Sequence, residues 1–145
     1  MKIEVMSHDD LEQFINQEND GNVLLIYIRK VGYLPNIKLI NNVDNGIQFI
    51  LSLSVNDNSK DANDKPEDHC ISIRDANKIA RMVKNSKDID RIIVFSDSGE
   101  SQSNGIAAAL SVYYNNDITL YNSNPSINKN CYGYVLRALT KQGEK

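Results

Sequence analysis

Ile92-Ile93-Val94-Phe95-Ser96-Asp97-Ser98-Gly99-Glu100-Ser101-Gln102-Ser103-Asn104-Gly105-Ile106-Ala107-Ala108-Ala109-Leu110 is the stretch on which the fold of this chain turns. Ile92 to Phe95 is an apolar, β-branched run of the kind buried in the middle of a parallel sheet. Ser96 to Ser103 is polar or glycine throughout, too short for a linker, and reads as a tight loop. Ile106 to Val112 repeats apolar residues at helical spacing, and the helix is expected to run to about Tyr114. A strand, a short loop and a helix N-terminus together make an anion site. The unpaired N–H groups of the first helical turn face the loop, and the helix dipole adds roughly half a positive charge there.

Outward from that core the chain alternates. Lys2 to Val5 fits a first strand near the sheet edge, and Ser7 with Asp10 caps a short amphipathic helix over residues 8–18. Asn19 to Asn22 reads as a turn and Val23 to Ile28 as a buried strand. Residues 29–44 read as a loop carrying the cations Arg29, Lys30 and Lys38, and Gly46 to Leu53 as the next strand. Asn56 to Asp68 is a polar, acidic loop holding Asp57, Asp61, Asp64, Glu67 and Asp68. Ser72 with Asp75 caps a helix over residues 73–85, whose buried stripe is Ile73, Ala76, Ile79, Ala80 and Val83. Ile118 to Tyr121 is expected as a short strand or extended segment, and residues 130–141 as a closing helix with Val135, Leu136 and Leu139 inward. The pattern implies a single α/β domain over residues 1–145, with a mainly parallel central sheet and helices on both faces. Ligands bind such sheets at the carboxyl ends of the strands.

The stretch from Ile92 to Leu110 resembles the phosphate-binding loop of the protein tyrosine phosphatase family, in particular its small dual-specificity-like members. That motif runs strand, Cys, five residues, Arg, Ser or Thr, helix. Ser96 stands at the Cys position, Asp97, Ser98, Gly99, Glu100 and Ser101 fill the interval, Gln102 stands at the Arg position, and Ser103 at the hydroxyl position. Gly99 matches the internal glycine, and the order of elements on both sides agrees. The family's reaction uses a thiolate nucleophile whose pKa the loop amides depress, and an arginine that binds two phosphate oxygens. A serine hydroxyl is far harder to deprotonate, and Gln102 keeps a donor without a charge. The resemblance therefore implies a phosphatase-like fold without the catalytic pair, and hence a pseudoenzyme rather than an enzyme.

The resemblance also implies how a ligand would sit. Backbone N–H groups supply much of such a loop's affinity, and Ser98, Ser101 and Ser103 add hydroxyl donors. Replacing a thiolate by Ser96 removes a repulsive charge as Gln102 removes an attractive one. Glu100 and Asp97 oppose an anion unless they face solvent. Arg29 stands at the start of a segment that lies near the pocket in the family, and Asp57 best matches the position of its general acid. For each of these two, a solvated surface charge is the simpler reading.

Other chemistries are less well supported. Gly99-Glu100-Ser101-Gln102-Ser103 approaches the G-x-S-x-G elbow of serine hydrolases, but His8 and His69 both precede it, where that fold needs a later histidine. His69-Cys70 has no second ligand pair, so no metal and no cofactor is implied. Cys70 and Cys131 read as free thiols of a reducing cytosol. A net charge of −3 gives no case for duplex DNA or a membrane surface, and no apolar run approaches the ~20 residues of a membrane helix. The N-terminus does not read as a signal peptide, so the expected location is the cytoplasm. The richness in Asn, Ile, Lys and Tyr is the usage of AT-rich genomes, such as those of low-GC bacteria or their phages. The leading expectation is a phosphorylated small molecule, a nucleotide or nucleotide-derived signal, bound without cleavage and sequestered. A module recognising a phosphoprotein or other protein partner is the alternative, residual phosphatase activity the second, and a homodimer remains open.

Overall fold

The computed structural model describes residues 1–15, 23–30, 47–55, 71–86, 88–96, 100–123 and 127–142. Strands β1 (Lys2–Val5), β2 (Val23–Lys30), β3 (Ile47–Val55) and β4 (Arg91–Ser96) form one sheet in the order β1-β4-β2-β3. All its pairings are parallel, so the carboxyl ends of the strands lie along one edge. β4 is flanked on both sides, which is why its residues 92–95 are apolar without alternation. Tyr27 pairs in register with Phe95 and Ile28 with Ser96.

Successive residues of a strand face opposite sides of a sheet. Leu24, Ile26, Ile28, Ile92 and Val94 face a large core with helices α2 (Ile73–Asn85), α3 (Glu100–Asn115) and α5 (Lys129–Gln142). Val23, Leu25, Tyr27, Ile93 and Phe95 face the other way, onto Leu11 and Phe14 of α1 (His8–Ile15). The Tyr27 and Phe95 rings meet edge to face at 5.2 Å. Arg91 fastens this smaller layer. Its Nε donates to Glu4 Oε1 at 2.8 Å, and its guanidinium lies 4.6 Å from the Phe14 ring centre. Helices thus cover both faces, as expected.

Two caps act as the sequence indicates. Ser7 Oγ accepts from the Asp10 N–H at 3.2 Å, and Ser72 Oγ from the Asp75 N–H at 3.1 Å. Each such cap contributes about 1 kcal/mol. The buried stripe of α2 holds at Ala76, Ile79, Ala80 and Val83. It does not hold at Ile73, which is 59% exposed. The first helical residue sits where α2 has just left the core, and Ile71, ahead of the cap, is buried in its place.

Three expected boundaries change. Arg29 and Lys30 do not open a loop but continue β2, pairing with Ser54 and Val55 of β3. The polar stretch 96–103 is not all loop, because α3 begins at Glu100. Ile118 to Tyr121 is no strand but belongs with α4 (Thr119–Ser123). Asp117 Oδ1 accepts from the Thr119 N–H at 2.9 Å, and the Thr119 hydroxyl together with that N–H holds the Asp117 carboxyl below its ordinary range. Asn116, at φ 51°, ends α3 just before it, in the left-handed region that Asn tolerates. A capping aspartate directly before an apolar run is a helix start, and it outweighs the β-propensity of Ile118.

α3 is buried on nearly all sides. Gln102, Ser103 and every residue from Ile106 to Ser111 are buried, between the sheet and α5. A helix hydrophobic all round has no polar face to give it an amphipathic stripe. Its small residues permit close approach. A Cβ on Gly105 would stand 2.5 Å from the Asn128 carbonyl oxygen and 3.0 Å from Cys131 Cβ. Asn128 is itself the cap of α5, its Oδ1 accepting from the Cys131 N–H at 2.9 Å. Among the described residues no helix is long and apolar enough to cross a membrane.

Candidate functional site

The candidate site lies where β4 ends and α3 begins. Ser96 is the last residue of β4 and is half-buried. Its neighbour across the sheet is Ile28, so the backbone of Arg29 lies one residue further toward the same carboxyl edge. Glu100 and Ser101 open α3, whose first N–H groups have no helical partner and face the end of β4. β4 thus ends where the sequence assigns it, within a residue, and α3 begins inside the stretch read as loop.

Gln102 and Ser103 are not on an open loop. They stand in the first turn of α3 and are 2% and 1% exposed. Gln102 shares a helix face with Ile106 and Leu110, at intervals of four residues, and both of those are fully buried. That spacing was available in the sequence and is the signal for Gln102's burial. Among the described residues Gln102 Oε1 is buried with no hydrogen-bond partner. An orphaned buried acceptor costs about 1–3 kcal/mol, and it marks a place where a donor from a ligand or water completes the structure.

Of the other residues assigned to the site, Asp97, Ser98, Gly99 and Asp57 lie outside the described residues, as does Lys38. For Arg29, Glu100 and Ser101 the structure places the backbone alone. The junction therefore brings together Ser96, Gln102 and Ser103 at the end of the central strand, with Arg29 on the same edge. Among the described residues no group of His, Cys, Asp and Glu side chains could hold a metal.

No family model and no curated protein matches this chain. Among solved structures it is similar to the crystal structure of Tk-PTP in the active form, a protein tyrosine phosphatase, with a TM-score of 0.58 and 12% identity. The match covers 98% of this chain and 94% of that one. It corrects one expectation. The replacements at Ser96 and Gln102 lead to the reading that the chain is no enzyme, and that reading is overturned by a neighbour that is a phosphatase in its active form. At this identity the likeness concerns the fold and leaves the reaction to be measured. It extends over nearly the whole chain, so the sheet and helices that frame the β4–α3 junction form a protein-tyrosine-phosphatase-like α/β fold.

Proposed function

We propose that the β4–α3 junction binds the phosphoryl group of a small phosphorylated molecule, a nucleotide or nucleotide-derived signal. The observation that carries this reading is the start of the 16-residue helix α3 at the carboxyl end of the central parallel strand. Helix N–H groups and the dipole favour an anion there. Ser96 and Ser103 stand at the same junction, and the phosphatase-like fold supports the choice of a phosphate ester over a carboxylate. Turnover at this junction would be attack of Ser96 Oγ on phosphorus, with a base taking the hydroxyl proton and the bond to the ester oxygen breaking so that the leaving group departs as a protonated alcohol.

Thermal unfolding against inorganic phosphate, nucleotides and cyclic nucleotides, with mass spectrometry of each mixture afterwards, tests the reading. A ligand at a hundredfold excess over its Kd adds about 2.7 kcal/mol, which for a chain of this size raises Tm by roughly 5–10 °C. Recovery of a dephosphorylated product that Ser96→Ala abolishes assigns turnover to this junction. No rise with any phosphate compound refutes the proposal.

A further inference from the structure

The charge of this chain is divided between its layers. Helices α2 and α5 carry seven of its sixteen lysines and arginines but one of its nineteen acids, a net of +6. The remainder carries −9, which gives the total of −3. The two helices pack side by side, and Arg137 and Lys141 of α5 line a recess with Ile73 and Asn77 of α2. Lys84 is used internally, its Nζ donating to the Leu139 carbonyl at 2.6 Å and lying 4.8 Å from the Tyr113 ring centre. The other six, Arg74, Lys78, Arg81, Lys129, Arg137 and Lys141, are exposed. Among the described residues none of the six is in an ion pair; the pairs present involve Lys2, Arg91 and Glu4.

An apolar recess opens among these cations. It has a volume of about 80 Å³ and is lined by Ile73, Asn77, Tyr134, Arg137, Ala138 and Lys141. One water needs roughly 15 Å³ on the same kind of measure, so the recess has room for a side chain. A second, shallower groove along Gly133, Leu136 and Thr140 shares Arg137 and Lys141 with it. Ile73, 59% exposed where the helical pattern calls for burial, is the apolar lip.

We propose that the α2/α5 face docks an acidic peptide segment of a partner protein, with one apolar side chain in the Ile73–Tyr134 recess and flanking carboxylates on Arg137 and Lys141. Charge complementarity selects an acidic partner, and the recess selects a polypeptide. A phosphate backbone brings no aliphatic group to fill it. A membrane surface calls for a row of Trp, Phe or Leu anchors, and among the described residues the recess offers one aliphatic lip, Ile73, beside Tyr134. Exposed charge pairs of this kind contribute to encounter rate and orientation, and the apolar anchor to residence.

Selection of random peptides on the intact protein, followed by affinity measurement at two salt concentrations, tests the proposal. The expected winners carry an apolar residue flanked by Asp or Glu and bind more weakly at high salt. Arg137→Glu with Lys141→Glu weakens them roughly tenfold or more, and Ile73→Ser several-fold, with Tm unchanged because all three side chains are exposed. Winners without acidic residues, winners indifferent to both variants, or no winners overturn the proposal. So does binding of single-stranded RNA or phosphatidylserine vesicles through the same cations where the peptides fail.

Discussion

Gly105→Ala lowers the stability of the fold by about 3 kcal/mol and Tm by roughly 10 °C. The added methyl group would stand 2.5 Å from the Asn128 carbonyl oxygen, 3.0 Å from Cys131 Cβ and 3.3 Å from the Tyr132 nitrogen. Two of these neighbours are backbone atoms, which cannot turn aside as a long side chain can. Asn128 also holds the start of α5 through its side chain, and its carbonyl accepts from the Tyr132 N–H at 3.1 Å. Moving it loosens the helix as well as the contact. Gly133 is the control. It too lies inside a helix, but nothing stands within 4 Å of its absent Cβ. Gly133→Ala therefore stabilises the protein by about 0.5–1 kcal/mol, because alanine loses less backbone freedom on folding. Denaturant unfolding of the two variants beside the parent measures both signs. A Gly105→Ala protein as stable as the parent would sink the close-contact account of the α3–α5 junction.

Leu110→Ala costs about 2–5 kcal/mol. Leu110 is fully buried on α3, which contacts both the sheet and α5. Its removal takes apolar surface from the core and leaves a cavity that helix backbones cannot close. Domains have about 5–15 kcal/mol in total, so the loss is a large fraction of the whole. The denaturant midpoint should fall with the slope unchanged, which identifies lost stability rather than an altered unfolded state. A loss below about 1 kcal/mol would show that the α3–sheet contact is loosely packed.

The candidate site was legible in part, for identifiable reasons. Ser96 at the end of a strand and a helix start shortly after it follow from local pattern: a β-branched apolar run, a polar break, then apolar residues at helical spacing. The polarity of Glu100 to Ser103 hid the true start of α3. Polar residues mark a loop when they face water, and these include two that face the interior. Gln102 was readable as a donor replacing an arginine, but its orphaned Oε1 was not, since burial of that atom depends on what packs over it.

The sequence by itself determined the order of the strands and longer helices, the parallel sheet with β4 in its interior, and the Ser7 and Ser72 caps, because periodicity and capping act within a few residues of chain. Only the tertiary structure decided that Gly105 has no room for a Cβ and Gly133 does, that Ile73 stands in solvent, and that Arg137 and Lys141 flank a recess against Ile73 of α2. Each of those depends on which segment, distant in the chain, lies against the residue. A pattern read along one helix records that the helix has a buried side, and only its neighbour determines how close the burial is and what is left uncovered.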